Sequence, residues 1–136
     1  MGVTIVSKKN PDISCSFSYG TFKCIRGNIA RDYNYELGRI YNDSLDYYYD
    51  PEKQSEADHQ YSSLFQIADS RTKQLMSFLS MSDCNGDASK SICKLLVSLK
   101  EKVMSGGLAE TIIKNCYEPF FAVIEDGSKN NGIKWY

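Results

Sequence analysis

The sequence has a single histidine, only three prolines and no long hydrophobic run. His59, the only imidazole, has no cysteine near it in sequence with which to bind zinc or activate a thiol. No apolar stretch approaches the roughly 20 residues that cross a bilayer, so a membrane span is excluded. The short apolar run at residues 3–6 precedes the first lysines, which is the wrong order for a secretory signal. We therefore expect a cytoplasmic protein.

The sequence also lacks a Cys-x-x-Cys pair, and its cysteines are odd in number and unevenly spaced. Such a pattern predicts neither a disulfide framework nor a structural zinc site. We expect reduced thiols that pack as small apolar groups. The five are Cys15, Cys24, Cys84, Cys93 and Cys116. No metal, cofactor or catalytic residue is predicted.

A chain of 136 residues predicts one domain over residues 1–136 with one hydrophobic core.

The net charge of −1 conceals an uneven distribution of charged residues along the chain. Residues 1–31 carry five basic side chains and one acidic one, whereas residues 32–58 carry eight acidic side chains and two basic ones. Because binding to DNA or RNA depends on phosphate neutralisation, the acidic segment argues against a duplex nucleic acid as partner. A small anion needs only two or three cations, which Lys23, Arg26 and Arg31 offer.

The hydrophobic pattern predicts an α+β fold. Residues 3–7 form a strand, and period-two alternation over residues 12–19 predicts a second strand after a turn. Apolar spacings of three and four predict one helix over residues 21–41, in which Gly27 and Gly38 suggest close packing. Residues 42–50 read as a loop, and Asp50-Pro51 as the start of the next helix.

Further helices are predicted on either side of a break near Asp69-Ser70, after the Ser89 cap, and from Leu108 to a kink near Pro119. Residues 82–87 read as a turn. The β-prone tail at residues 133–136 is predicted to pair with one of the N-terminal strands. The expected fold is a small antiparallel sheet, built from both N-terminal strands and the C-terminal tail, packed against four or five α-helices.

Two motifs each allow a functional and a structural interpretation. Asp83, Asn85 and Asp87 alternate like calcium ligands, but Lys94 stands where the bidentate glutamate is required, so we favour a capped turn. The run from Tyr19 to Phe22, followed by Lys23 and Arg26, fits either an anion or nucleotide pocket at a helix start or a simple strand-to-helix turn. One glycine is too few for a phosphate-loop motif.

Seven of the ten tyrosines lie between residues 33 and 61, and six of these are within the acidic segment. They could form a recognition or oligomer surface, a core edge or a base-stacking platform. The acidic neighbours argue against phosphate binding and favour a protein-facing surface. The residues predicted for this partner or oligomer surface are Tyr33, Tyr35, Tyr41, Tyr47, Tyr48 and Tyr49.

Four short motifs lie along the chain: Tyr19-Gly20-x-Phe22-x-x-x-Arg26-x-x-Ile29-Ala30, Ser82-Asp83-Cys84-x-Gly86, Cys116 and Trp135-Tyr136. In these motifs the sequence resembles a group of small proteins from bacterial phages and prophages. In that group the first motif often reads Gly-Tyr-Gly-Gly-Phe, and Ser18 and Thr21 replace two of its glycines here.

The resemblance implies a protein of the host cytoplasm that counters bacterial defence by binding. One mechanism is sequestration of a small anionic nucleotide signal, without cleavage, in an oligomeric pocket lined by Tyr19, Lys23, Arg26, Asp83 and Trp135, with Arg31 as a further ligand-binding candidate. A second mechanism is blockade of a host defence protein by the acidic tyrosine surface. An enzyme that degrades the signal is the third, and His59 is its only candidate base. A homo-oligomer is expected.

Overall fold

A computed structural model describes residues 2–47 and 49–136 of the chain. In chain order, the elements are β1 (Gly2–Ser7), β2 (Ser14–Ser18), α1 (Tyr19–Tyr33), α2 (Tyr35–Asp46), α3 (Pro51–Ile67), α4 (Ser70–Leu79), β3 (Gly86–Ala88), α5 (Lys90–Met104), α6 (Glu110–Ile112), a π-helical turn (Ile113–Tyr117), α7 (Glu118–Lys129) and β4 (Ile133–Trp135).

The four strands form one antiparallel sheet in the order β2-β1-β4-β3. The α+β prediction is confirmed, and the C-terminal tail pairs with β1 through Ile5 opposite Trp135. The segment predicted as a turn also contributes the short edge strand β3, which pairs with β4. Its three residues are too few for an alternating pattern to be visible in the sequence.

The hydrophobic core lies between the sheet and helices α1, α5 and α7. Helix α7 packs on β1, β2 and β4, and α5 packs along α7. Phe120, Phe121 and Ile124 on α7 are completely buried. Helix α2 packs on α1, and α3 packs on α2, so α3 is connected to the sheet through two other helices.

The predicted helix over residues 21–41 is two helices, because the chain breaks at Asn34. The Asn34 side chain accepts a hydrogen bond from Leu37 N at 3.1 Å and thereby caps α2. Gly38 lets α2 approach the backbone of Ala30 and Arg31, since a Cβ atom at this position would clash with that backbone. The close approach predicted for Gly38 is thus confirmed, and it marks the corner between α1 and α2.

Other helix boundaries follow their caps. Asp50 caps α3, Asp69 caps α4 and Ser89 caps α5, each by accepting a bond from a backbone N–H three residues on. The loop predicted over residues 42–50 is too long, because α2 continues to Asp46. Before Pro119, the chain widens into the π-helical turn and then continues as α7, which accommodates the missing proline donor.

Candidate functional site

A surface cavity of about 370 Å³ lies where α1, α2 and α3 meet the loop that follows α4. It is lined by Lys23, Arg26, Tyr41, Ser44, Asp58, Tyr61, Ser80, Met81, Ser82 and Asp83. Of the predicted ligand-binding residues, Lys23, Arg26 and Asp83 meet here. The cavity is therefore the candidate site.

The start of α1 sets the direction of the two cations. Ser18 caps the helix by accepting a hydrogen bond from Thr21 N at 3.1 Å. Phe22 and Arg26, one helical turn apart, both face the interior and are 1% and 2% exposed. Lys23 lies beside them on the helix surface and its side chain is 47% exposed. One cation is thus buried and the other reaches solvent.

Arg26 is held by groups of the protein itself. Its Nη1 atom donates to the carbonyl oxygens of Leu79 at 3.1 Å and Met81 at 2.9 Å, and its Nη2 atom is paired with Asp83. The guanidinium carbon lies 4.2 Å from the centre of the Phe22 ring, a cation–π contact. Arg26 therefore closes the end of α4 and the following loop onto α1.

Burial lowers the pKa of Arg26 below its ordinary value. The group remains charged at neutral pH because that ordinary value is so high. Arg26 Nε is buried and has no hydrogen-bond partner among the described residues. Both Nη atoms of the guanidinium contact groups of the protein itself. Arg26 is therefore a positioning residue for the cavity.

Lys23 and Asp83 form a looser pair at the cavity. Lys23 Nζ lies 3.3 Å from Asp83 Oδ2, and the Asp83 side chain is 25% exposed. Asp83 thus shares its two oxygens between the buried and the exposed cation. Because an ion pair with an exposed lysine contributes little stability, another anion can replace Asp83 at Lys23 at small cost.

Trp135 lies behind the cavity and does not line it. Its ring packs edge-on against Phe22 and Phe78, with ring centres 5.6 Å and 5.5 Å apart. Its Nε1–H donates to the carbonyl of Ser82 at 3.0 Å, next to Asp83. A Cβ atom on Gly86 would overlap this ring. Trp135 therefore fixes the Asp83 loop from inside the protein.

Tyr19 and Arg31 lie outside the cavity. A hydrogen bond with the side chain of Cys84, the residue after Asp83, raises the pKa of Tyr19. Arg31 is exposed, donates to Asn28 Oδ1 at 2.6 Å and lines a different cavity with Asp32 and Tyr35. Arg31 is about 140° around the helix from Arg26, so the helical period already separates them.

Several lining residues were not predicted as ligand contacts. Tyr41, expected on the exposed tyrosine surface, is 9% exposed, and its hydroxyl donates to Leu79 O at 2.8 Å, so it belongs to the core and the cavity wall. Burial raises the pKa of Tyr41 and also that of half-buried Tyr61, while a hydrogen bond with Ser80 lowers the latter. Asp58, which is exposed on α3, adds a second carboxylate. Contact between distant helices brings these residues together, and local sequence carries no signal of it.

The remaining tyrosines do not share one environment. Tyr35 and Tyr49 are 71% and 93% exposed. Tyr33 is half-buried beside Thr72, at 3.2 Å between hydroxyl oxygens, and Tyr47 lines a cavity between α2 and α3. Tyr48 lies outside the described residues. The exposed part of the predicted surface is thus represented by Tyr35 and Tyr49.

The groups with chemical reactivity are dispersed. Cys15 and Cys93 are buried, and burial raises their pKa values to about 12 and about 11, whereas Cys24 and Cys84 are exposed. His59 is exposed on α3 and is not among the residues that line the cavity.

Within residues 2–47 and 49–136, no cluster of three His, Cys, Asp or Glu side chains could hold a metal ion. Over the same residues, no helix has both the length and the apolar character needed to span a membrane.

Comparison with known protein families, curated proteins and solved structures finds no match to this chain.

Proposed function

We propose that this protein binds a small nucleotide-derived ligand in the cavity between α1, α2 and α3 and does not cleave it. The observation that carries the proposal is the exchangeable Lys23–Asp83 pair at the cavity. A phosphate that displaces Asp83 keeps Lys23 paired, and Asp83 keeps its contact with Arg26. Binding would thus exchange one anion for another at the exposed lysine.

The size and charge of the cavity restrict the ligand. A volume of about 370 Å³ is at the lower end of the roughly 300–1,000 Å³ of small-molecule pockets. The four charged lining residues are Lys23, Arg26, Asp58 and Asp83, two of each sign. A polyphosphate would meet both carboxylates, whereas a nucleotide with one negative charge would not face a net repulsion. We therefore favour a mononucleotide-sized ligand, such as a cyclic mononucleotide.

Helix α3 offers partners for a base at the cavity. Tyr61 is half-buried and borders both this cavity and a more apolar one beside Phe65. An aromatic face of this kind can stack on a nucleobase. Asp58 supplies an acceptor for an exocyclic amino group, of the kind that adenine, guanine and cytosine carry. The ligand would then contact α1 through its phosphate at Lys23 and α3 through its base at Tyr61.

The resemblance to phage and prophage proteins supplies the biological setting of this proposal. In the cytoplasm of an infected bacterium, a protein that holds a nucleotide signal of the host defence would lower its free concentration. Sequestration requires tight binding and no bond cleavage. This fits a cavity whose described residues include Lys23 and Asp83 but not His59.

The test is to incubate the purified protein with a panel of cyclic mononucleotides, cyclic dinucleotides and ADP-ribose derivatives, remove the unbound fraction and heat the protein to release what remains. We expect an intact mononucleotide. Recovery of an altered nucleotide would indicate an enzyme, and absence of uptake across the panel would contradict the proposal.

The matched variants are Lys23→Gln and Arg31→Gln, which remove exposed cations of the same helix from two different cavities. We expect the dissociation constant to rise about tenfold or more for Lys23→Gln, as for loss of one charge-assisted hydrogen bond, and to stay unchanged for Arg31→Gln. Equal effects of Lys23→Gln and Arg31→Gln would contradict the assignment of the site.

We propose blockade of a host defence protein as the second candidate function. The high exposure of Tyr35 and Tyr49, together with the exposed acids Glu36, Glu52 and Glu56, supports it. Capture of a basic host protein that Tyr35→Ser weakens, with nucleotide uptake absent, would favour this candidate over sequestration.

A further inference from the structure

The two edges of the sheet differ in their protection. Edge strand β3 has three residues, and its Asp87 is paired with Lys8 at 3.2 Å. Edge strand β2 has five residues, Ser-Cys-Ser-Phe-Ser, with neither a charge nor a proline. Short length, charges and prolines are the usual means by which an edge avoids pairing with another strand. Strand β2 has neither charges nor prolines to protect its edge.

The register shows which backbone groups of β2 point outward. Thr4 exchanges two backbone hydrogen bonds with Tyr136 on the β4 side of β1, and Ser7 N donates to Ile13 O on the β2 side. Alternation along β1 therefore directs Val3 and Ile5 toward their β2 partners, Phe17 and Cys15. The backbone N–H and C=O groups of Ser14 and Ser16 then face away from β1. Among the described residues they have no hydrogen-bond partner.

The side chains leave this edge accessible. Ser14, Ser16 and Ser18 are exposed, and Ser16 Oγ lies 3.1 Å from Thr4 Oγ1 on the outer face of the sheet. The outer edge of β2 is thus a row of unpaired backbone groups flanked by small uncharged side chains. Such a row is a template for another β-strand.

We infer that β2 pairs antiparallel with β2 of a second copy of this chain, which joins two sheets into one of eight strands. A two-fold axis at Ser16 places Ser16 opposite its own copy and Ser14 opposite Ser18, so no like charges meet. Exposed Asp12 lies in the turn before β2 and α1 starts directly after β2, so antiparallel pairing brings the Asp12 end of each copy to the α1 end of the other. The first turn of α1 has no acidic residue, so its helix dipole attracts that carboxylate.

This complementarity favours a second copy over an unrelated peptide, because one short segment supplies both the acid and the helix start that attracts it. The surface is separate from the cavity and from the exposed tyrosines, and it does not depend on the proposed function.

The test combines two variants of opposite charge. Alone, Ser16→Lys or Ser16→Glu places like charges across the two-fold axis, so we expect the dimer dissociation constant to rise about tenfold or more in sedimentation equilibrium. An equimolar mixture should restore the dimer, because Lys then faces Glu. Ser55→Lys, which alters an exposed serine on α3, should dimerise like the unmodified protein.

Hydrogen exchange gives a second measurement: the Ser16 amide should become protected as protein concentration rises. Thermal unfolding of the variants checks that each remains folded. A monomeric unmodified protein would overturn the inference and would leave the edge to an extended segment of another protein. A dimer that neither Ser16 variant weakens would also overturn it, because another surface would then hold the copies together.

Discussion

Helices α3 and α7 differ in how many side chains they bury in the hydrophobic core. Helix α3 has 17 residues, of which Ala57 is buried, whereas α7 has 12 residues and buries Phe120, Phe121, Val123, Ile124, Gly127 and Ser128. Helix α7 contacts the sheet, while α3 is supported by α2. Helix length therefore does not indicate which segment holds the fold together. The candidate cavity lies on the weakly packed side, where α3 supplies Asp58 and Tyr61.

Truncation of one side chain on each helix should show the largest difference between them in the free energy of unfolding. Phe120→Ala removes a completely buried ring and should lower the free energy of unfolding by about 3–5 kcal/mol. Leu64→Ala on α3 removes a half-buried side chain and should cost about 1 kcal/mol. Urea unfolding followed by circular dichroism measures both values. Equal losses would show that α3 is as integral to the core as α7.

The two cations of α1 extend this comparison to the cavity. Arg26→Met leaves Asp83 without its buried partner and the Met81 carbonyl without its donor, while Leu79 O keeps the Tyr41 hydroxyl, so the change should lower the free energy of unfolding by about 3 kcal/mol. Lys23→Met removes an exposed partner and should cost about 0–1 kcal/mol.

Thermal and urea unfolding of the two variants test this difference. Binding experiments should rely on Lys23, since loss of uptake in an Arg26 variant would not distinguish a lost contact from a displaced loop. A stable Arg26→Met protein that has lost only ligand uptake would instead make Arg26 a direct ligand contact.

Trp135 connects the well-packed side to the cavity loop. Trp135→Phe removes the hydrogen bond to Ser82 O and should cost about 1 kcal/mol. Release of the loop should also make exposed Cys84 react faster with a thiol reagent, while Cys24, on α1, reacts at its original rate. Timed alkylation with mass spectrometry distinguishes the two thiols. Unchanged Cys84 reactivity would mean that Arg26 alone holds the loop.

The smallest expected effect concerns Asp126, on the well-packed side. A hydrogen bond from buried Ser7, and a further one from Asn10, hold the pKa of Asp126 below its ordinary value of 3.8. A lowered pKa stabilises the folded state above pH 3.8, and this contribution is lost as the pH falls through the folded-state value. Ser7→Ala should raise the pKa of Asp126 toward 3.8 and weaken this acid dependence. Carboxylate NMR titration measures the shift, and a constant pKa would assign the effect to Asn10.

Local sequence predicted most of the elements, because helix caps and periodicity act within a few residues. Asp50 and Ser89 each cap a helix as predicted, and Asp69 caps α4 at the predicted break between two helices. The break at Asn34 was missed because both α1 and α2 bury one face, so the apolar spacing continues across the corner. Strand β3 was missed because its partner β4 lies more than 40 residues away in the sequence.

The candidate site was predictable only in part. The uneven distribution of charge placed the cations of the site on the N-terminal helix, and the period of that helix separates Arg31 from Arg26. The same period places Arg26, but not Lys23, one turn from Phe22, yet nothing local shows that Asp83 and the carbonyls after α4 pair with Arg26 there. Likewise, Tyr41 is buried because α2 turns back on α1 beneath the end of α4, whereas Tyr35 on the same helix is exposed.

The sequence alone therefore determined the α+β class, the capped helices, the pairing of the chain ends and the uneven distribution of charge, because these depend on residue type and short spacing. Tertiary structure decided which charges are internal, which tyrosines are exposed and where a cavity remains. Those properties depend on contacts between α1, α3 and the loop after α4, which are far apart in the sequence. The sequence of one such segment does not show which distant segment packs against it.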